Sequence, residues 1–548
     1  MLRKLFNFNG GVKPAYHKEA STTQPIADFH AVAPMPAEFV IPLHQSIGGM
    51  PHPLVTAGET VKKGQLIGGP DGYVSSAVHA STSGRVKAVE MRLMPHTSGL
   101  SALCVVIEPD GRDEWIERAP VPWHSMAPDE VRDAVRDAGL VGLGGAVFPS
   151  HLKVNPGRKG KLDTLVINGA ECEPFITCDD MQMRERPDAI VRGAAIMRDL
   201  TLAGQVLIGI EDNKPEAIAA MQAAVSATGA ARIEIVAIPT RYPAGGAKQL
   251  IRVLTGIEVP HGKRSTDYGV QCFNTGTIYG IYEALELGQP LISRIVTVAG
   301  NVERPRNFEV RFGTPMQDVI AQCGPKPDTD RIIMGGPMMG YAMPSADVPV
   351  VKATNCILVG SQALFPPPPP EMPCIRCGEC AKACPADLQP FEMYWFARAK
   401  IFGKAQEYHL FDCIECGCCA YVCPSRIPLV DYYRFAKSEI WARENEKSAA
   451  DEARERYEFR MAREEREKQE RAAKLAAKAA ETKAKQAAAA AAAAAPVDKL
   501  ALIAAAQERA RQQAAAPQNT GNLTPEQQAQ VAAAEARRAQ ALQNEGTD

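Results

Sequence analysis

The sequence predicts a multi-domain α/β protein that ends in a helical, low-complexity tail. Three observations lead to this fold class. Strand and helix patterns alternate over residues 125–290, which is typical of a layer with parallel strands. Short strands broken by glycine and proline fill residues 40–115, and two matched cysteine runs lie within residues 366–435. A chain of 548 residues is long enough for three or four domains.

Residues 40–115 are predicted to form a barrel-sandwich domain of the biotinyl/lipoyl type, preceded by an N-terminal extension over residues 1–39. The hairpin between the two halves offers no lysine in the sequence setting that carrier domains use for modification. Because a fold is often reused without its function, we expect a structural docking module rather than a swinging-arm carrier. His79 is expected to be a packed strand residue rather than a ligand.

The next segment, residues 125–290, begins with a helix at Pro128 that buries Val131 and Val135 and ends before Gly139. A second helix is expected to carry Pro215 in its first turn. Strands are predicted at residues 165–168, 205–210 and 232–238.

Residues 293–350 change character and predict a small α+β unit of β-grasp type. Residues 314–317, Thr-Pro-Met-Gln, have the pattern of a capping box at the start of a short helix.

The two cysteine runs carry the strongest functional signal. Each has the form C-x2-C-x2-C-x3-C-P, and two such runs bind two [4Fe–4S] clusters, the fourth cysteine of each run ligating the other cluster. One cluster is therefore assigned to Cys374, Cys377, Cys380 and Cys423, and the other to Cys384, Cys413, Cys416 and Cys419. Cys418 lies out of phase and is expected to be a buried bystander.

Zinc is the alternative occupant, because C-x2-C pairs also suit tetrahedral Zn²⁺. Zinc needs only four ligands from two such pairs, which leaves no role for a third evenly spaced cysteine. The remaining cysteines of the 15 in the chain lack the spacing of a disulfide framework, which favours a reducing compartment.

Two further stretches of low complexity flank or follow these runs. Residues 366–370, five prolines, predict a spacer that holds the cluster module at a distance from the preceding domains. Residues 441–548 predict a charged, Ala/Gln-rich tail that is helical or disordered, with i,i+4 pairs between glutamate and arginine in its first part.

Two segments could bind a nucleotide or flavin. Residues 140–153 form a glycine-rich loop in which Lys153 could neutralise a phosphate, although glycine-rich turns are common. Residues 168–174, Asn-Gly-Ala-Glu-Cys-Glu-Pro, follow a predicted strand, where ligands lie in open α/β sheets. Taken alone, the two carboxylates there would belong to a solvated loop.

Together, these two segments resemble the flavin- and NADH-binding subunit of respiratory complex I. The resemblance implies a Rossmann-like domain in which FMN faces one set of residues, namely Gly142, Gly144, Gly145, Lys153 and Asn168. It implies that the nicotinamide nucleotide faces Phe148, Glu171 and Glu173. Three positions depart from that family's pattern: Leu143 replaces an arginine, Val147 a glycine and Ala170 an aspartate.

Over about residues 1–440, the order of modules resembles the C-subunit family of the Rnf (Rsx) electron-transport complexes. The motifs that carry this resemblance lie at residues 242–246, 335–340 and 354–357. The resemblance implies an SLBB-like β-grasp domain and a peripheral subunit on the cytoplasmic face of the bacterial inner membrane. It implies a translocase of the ferredoxin:NAD⁺ oxidoreductase type, with integral membrane and iron–sulfur subunits as partners, and no catalytic acid or base.

Two other functions remain open. The chain could be an electron-relay adaptor that has lost flavin and nucleotide binding, or a structural scaffold that uses zinc. The formal net charge of −2 argues against a nucleic-acid partner. No stretch has the pattern of a signal peptide or of a spanning helix, so we expect any membrane attachment to be peripheral.

Overall fold

The computed structural model describes residues 3–154, 160–493 and 499–514. Contacts divide the chain into two units, residues 1–444 and 445–548. The predicted tail is therefore described only in part, and its residues 494–498 and 515–548 lie outside the described residues.

Two antiparallel sheets that face each other form the first domain. The N-terminal extension contributes β1 Ala27–Asp28 and α1 Phe29–Val32. The elements of the domain itself are β2 Phe39–Pro42, β3 His52–Pro53, β4 Thr60–Val61, β5 Leu66–Gly69, β6 Val78–His79, β7 Gly84–Leu93 and β8 Ser101–Pro109. The strand orders are β2-β8-β7-β4 and β3-β5-β6. In the pairing of β2 with β8, Phe39 lies opposite Ile107 and Ile41 opposite Val105. All four side chains are buried between the sheets. His79 is buried in β6, as expected.

A parallel sheet with helices on both faces forms the second domain. Its elements are α2 Pro128–Asp137, β9 Thr164–Gly169, α3 Cys178–Glu185, α4 Pro187–Leu200, β10 Gln205–Glu211, α5 Pro215–Thr228, β11 Ile233–Ile238, α6 Ala247–Thr255, β12 Val270–Asn274 and α7 Thr275–Glu286. The strand order is β11-β10-β9-β12, and every pairing is parallel. Alternate residues of β9 point to opposite faces: Leu165 packs in one apolar cluster and Val166 in the other.

The third domain has a mixed sheet of order β1-β14-β13-β17-β15-β16. Its own elements are β13 Ser293–Gly300, β14 Arg306–Arg311, α8 Met316–Gln322, β15 Thr329–Met334, β16 Tyr341–Met343 and β17 Cys356–Ser361. The sheet continues past residue 350, because β17 pairs with both β13 and β15. The predicted capping box is wrong: Pro315 is the N-cap of α8, and the Thr314 hydroxyl donates to the Arg311 carbonyl instead.

The cysteine module packs around short helices and one end of a long one. Its elements are α9 Glu379–Ala383, α10 Pro390–Arg398, α11 Phe402–Glu407, α12 Cys418–Tyr421 and α13 Leu429–Ala493. Tyr394 and Tyr433 are fully buried in its core. The prediction that the proline run holds this module at a distance is wrong, because Gly11 N donates to Ala383 O at 2.9 Å and Asn9 also contacts the module.

Residues 445–514 are helical where described, in the remainder of α13 and in α14 Lys499–Ala514. The predicted i,i+4 pairs are present as Arg460–Glu464 and Arg463–Glu467, both exposed. None of the helices within the described ranges combines the length and apolarity needed to cross a membrane.

Candidate cofactor sites

The carboxyl ends of β9 and β12 mark the place where the sheet reverses its strand order. The chain runs from β9 outward through β10 to β11 and then returns to the far side of β9 for β12. Asn168 at the end of β9 lies in register with Asn274 at the end of β12. Ligands of open α/β sheets bind at such a switch point, so this edge is the candidate flavin site.

The glycine-rich loop lies over this edge. Gly142 N donates to Phe148 O at 2.8 Å, and Leu143 N donates to the Thr277 hydroxyl of α7 at 2.9 Å. A Cβ placed on Gly144 would lie 3.5 Å from the Asn274 Cβ. Gly144 and Gly145 are exposed, and a Cβ on Gly145 would meet no described atom within 4 Å. The loop therefore presents an open strip of backbone beside Asn274.

Val147 has a backbone φ of +42°. This conformation is strained for a β-branched side chain and favours glycine. The backbone at this position thus suits the glycine that the complex I resemblance places there.

Phe148 and Lys153 stand at the far end of the loop. The Phe148 ring is 37% exposed, which leaves it free to stack on a ligand. The Lys153 amine donates to the carbonyl oxygen of Cys272, and it lies 4.4 Å from the centre of the Phe273 ring. Burial lowers the pKa of Lys153.

Asn168 and Glu171 are both bound within the protein. Asn168 donates through Nδ2 to Gly245 O at 2.8 Å. The Glu171 carboxylate accepts from the backbone N–H groups of Asp179 at 2.8 Å and Asp180 at 3.2 Å, so it caps the N-terminus of α3. Burial and the Glu171 charge raise the pKa of Asp179 to about 7.

Glu173 joins the second domain to the third. Its Oε1 accepts from Met338 N at 2.7 Å and from Met339 N at 3.0 Å. Gly336 is required beside it, because a Cβ there would lie 2.2 Å from the Glu173 Cγ. The glycine motif of residues 335–340 is thus the partner of this carboxylate.

Asn274 is the residue of this site that was not predicted from the sequence. Its Oδ1 accepts from Gly276 N at 2.9 Å and Thr277 N at 3.3 Å, and its Nδ2 donates to Asp179 at 2.6 Å. A cleft opens alongside, lined by Leu143, Gly276 and Asp179 among others. The signal was present in the sequence, since an N-cap asparagine directly follows the apolar strand of residues 270–273.

The eight motif cysteines line two separate cavities. The first is lined by Cys374, Cys377, Cys380 and Cys423, and the second by Cys384, Cys413, Cys416 and Cys419. Each cavity thus combines three thiols of one run with the last thiol of the other. Cys418 is fully buried outside both sets.

The spacing of these thiols is too wide for zinc. Four thiolates at 2.3 Å from one Zn²⁺ would lie about 3.8 Å from one another. Within the described residues, only Glu171, Cys178 and Asp179 bring three potential ligand atoms within 4.8 Å of one another. These thiols are therefore not gathered around one zinc ion, and two sets of four thiols are the donors that [4Fe–4S] clusters use.

The second cavity lies against the α/β domain. The Tyr242 hydroxyl donates to Cys416 O at 2.7 Å, and Met338 packs in the same apolar cluster as Cys416. The first cavity is open, and Cys377 is exposed on its rim.

Four family models match the chain. They are the RnfC barrel sandwich hybrid domain over residues 6–112, the Nuo51 FMN-binding domain over 135–283, the SLBB domain over 295–342 and the 4Fe-4S dicluster domain over 373–427. These matches confirm the predicted fold class and the predicted FMN and iron–sulfur cofactors.

Curated relatives are similar over most of this chain. The C subunit of an ion-translocating oxidoreductase complex from Pseudomonas aeruginosa is 45% identical over 74% of this chain and 52% of its own length. The protein of the same description from Yersinia pestis bv. Antiqua is 45% identical over 84% of this chain and 73% of its own. The chain spans about half the length of the first of these relatives.

One solved structure, an NAD⁺-reducing [NiFe]-hydrogenase in the H2-reduced state, matches with 17% sequence identity. The match covers 58% of this chain and 61% of the hydrogenase chain. Its TM-score is 0.41.

Proposed function

The chain belongs to the family of C subunits of ion-translocating oxidoreductase complexes, and we propose that it accepts electrons from NADH and passes them to the rest of such a complex. The proposed reaction is of the ferredoxin:NAD⁺ oxidoreductase type. The proposed location is the cytoplasmic face of the bacterial inner membrane, with peripheral attachment through membrane and iron–sulfur subunits.

One observation carries this proposal, namely the unbroken line of contacts from the switch point to the cysteine cavities. Asn168 donates to Gly245 O, and Gly245 belongs to the same loop as Tyr242. Tyr242 in turn donates to Cys416 O at the second cavity. The two cavities are adjacent in one module whose core contains Cys380 and Cys419. This order suits electron entry at the sheet edge and exit at Cys377.

Each part of the chain supplies something different. Bound FMN would exchange two electrons with NADH and single electrons with the clusters, chemistry that side chains cannot perform. The exposed backbone at Gly144 and Gly145 allows close approach of a flat ligand, and we propose that Lys153 faces the phosphate of FMN. We propose that Phe148 stacks on the nicotinamide nucleotide. The two sets of four cysteines named above are the proposed cluster ligands.

A relay without flavin is the second candidate function. The observation in its favour is that Asn168, Glu171 and Glu173 all have partners within the protein. A nucleotide would have to displace or supplement these hydrogen bonds. The two functions differ in one property, which is the presence of bound flavin that NADH can reduce.

Metal, sulfide and flavin analysis of anaerobically purified protein tests the proposal. We expect about eight iron and eight sulfide atoms, stoichiometric FMN, and bleaching of the cluster absorbance on addition of NADH. Dithionite should bleach the clusters whether or not flavin is bound. Iron and sulfide without flavin or NADH-driven bleaching would establish the relay, and stoichiometric zinc without sulfide would overturn both functions.

The replacement Gly145→Val sharpens this test. A valine there would stand where we propose FMN to lie, so the flavin should be lost while both clusters remain. Gly229→Val is the matched control: Gly229 also has a positive φ and no described atom within 4 Å, but it ends α5 away from the site. Equal flavin contents in the two variants would contradict the proposed position of FMN.

A further inference from the structure

The first loops of the two cysteine runs have the same backbone conformation, so their side chains can be compared directly. Residues 374–378 are Cys-Ile-Arg-Cys-Gly, and residues 413–417 are Cys-Ile-Glu-Cys-Gly. Arg376 and Glu415 have φ values of +54° and +57°, and the two glycines both have +79°. Differences between the side chains of the two loops therefore reflect their surroundings rather than their backbone.

The second loop is covered by the rest of the protein. Ile414 packs beside Met338, and Cys416 is 7% exposed. Glu415 is paired with Lys437 at 2.8 Å and with Arg434 at 2.9 Å. In this loop Cys416 is therefore buried and the charge of Glu415 is neutralised.

The first loop keeps the same apolar residue but leaves it uncovered. Ile375 is 68% exposed and lines the same cavity as the exposed Cys377, and Met372, just before the run, is 52% exposed. The equivalent isoleucine of the second loop, Ile414, is half-buried against an apolar cluster that includes Tyr242. Exposed apolar side chains grouped beside a redox centre are typical of an interaction site.

This surface carries two arginines without acidic partners, and the exposed Glu371 beside Met372 is held by the hydroxyls of Tyr394 and Tyr432. Arg376 and Arg426 are both exposed, and neither has an acidic partner within the part of the chain that the structure describes. The nearest carboxylate in the same run, Glu379, is paired with Lys382 at 2.8 Å. Arg376 thus occupies the position at which the covered loop has a neutralised glutamate.

We propose that Met372, Ile375, Arg376, Cys377 and Arg426 form the docking surface for an electron-carrier protein with an acidic rim around its own redox centre. This inference rests on the proposed function. A [4Fe–4S] cluster held by the cysteines of this loop would supply one electron to the oxidised carrier, so that the cluster would be oxidised and the carrier reduced, with no proton transferred and no bond formed. The apolar pair excludes water at the contact, while the guanidinium groups select an acidic partner.

Binding measurements on the full-length holoprotein test this surface. The probe is an acidic plant-type [2Fe–2S] ferredoxin, and the basic protein cytochrome c serves as the probe of opposite charge. We expect the ferredoxin affinity to fall about tenfold between about 20 and 200 mM salt, because salt screens exposed charges. At low salt, the protein should bind cytochrome c more weakly than it binds ferredoxin.

The variant Arg376→Glu combined with Arg426→Glu should weaken ferredoxin binding about tenfold or more at low salt. The milder Arg376→Gln should act in the same direction, and iron content verifies that both clusters are retained. Arg192→Glu is the control, because Arg192 is exposed on α4 and also lacks an acidic partner among the described residues. The control should bind ferredoxin as the wild type does.

Three outcomes would overturn the inference: no ferredoxin binding by the wild type at low salt, equal affinities of wild type and the double variant, or an equal loss in Arg192→Glu. NADH-driven bleaching, measured on the same preparations, reports separately on the proposed function. If NADH does not bleach the clusters but ferredoxin binding depends on Arg376, the docking surface is supported and the proposed entry of electrons from NADH is contradicted.

Discussion

The resemblance and the structure assign different roles to the Glu173 carboxylate. The complex I resemblance assigns it to NADH, whereas in the structure it accepts two backbone N–H groups of the 335–340 turn. We expect Glu173→Gln to lower stability by about 1–3 kcal/mol, because charge-assisted hydrogen bonds at a buried site are weakened. Thermal unfolding measures this loss, and Gly336→Ala should give a similar one. If Glu173→Gln weakens NADH binding and leaves the stability unchanged, Glu173 binds the nucleotide instead of stabilising the fold.

The cysteines also differ one by one. Cys380 lines the first cavity, and Cys418 is buried outside both sets. Replacing Cys380 with Ala should therefore lower the iron content from about eight to about four atoms per chain, whereas Cys418→Ala should leave it unchanged. Iron and sulfide analysis with electron paramagnetic resonance gives the count. Equal losses in the two variants would contradict the assignment of ligands.

Among the structural elements, β6, the end of α2 and the segment before β17 meet at one buried amine. Lys352 Nζ donates to Ala77 O at 2.9 Å and to Gly139 O at 2.6 Å, so it joins three domains. Burial lowers its pKa from 10.5 to about 7. His79 lies nearby, and burial with the Lys352 charge lowers the pKa of His79 to about 3.

The lowered pKa of Lys352 predicts a pH dependence of stability. The unfolded chain binds one proton more than the folded chain between about pH 7 and pH 10.5, so this group makes the folded state more stable as the pH rises through that range. The stability of the wild type should therefore rise with pH relative to that of Lys352→Met. Denaturant unfolding at several pH values within this range measures the difference, and parallel curves would contradict the prediction.

At the largest scale, the central finding is that the cysteine module is docked on the α/β domain. The contacts involve Gly11, Tyr242 and Met338, which come from three different parts of the chain. The N-terminal extension is part of the same body, since β1 pairs with β14 and Phe8 packs on the sheet of the second domain. This packing fixes one cavity as the inner one and leaves the other open.

Attachment to the membrane is also a property of the molecule as a whole. No helix in the described ranges could span a bilayer, and we propose attachment through partner subunits. High salt or a chaotrope should therefore release the chain from membranes in which it is expressed, because such contacts are partly electrostatic. Fractionation followed by immunoblotting measures the release. Retention in washed membranes that lack the partner subunits would point to an anchor.

Features that depend on local pattern were predictable from the order of residues alone. The cysteine spacing predicted two sets of four thiols, and strand and helix periodicity predicted β9, β10, β11 and the start of α5 close to their observed bounds. Such signals report burial and ligand type, which adjacent residues largely decide.

Which distant residues meet became clear only from the folded chain. Asn274 joins the candidate site because β12 pairs on the far side of β9, and Glu173 meets a turn 165 residues away. Tyr242 reaches Cys416 across 174 residues, which overturned the expectation of a separated cysteine module. Periodicity shows that a side chain is buried but not against what, because contacts between distant residues depend on strand order and domain packing rather than on neighbours in the chain.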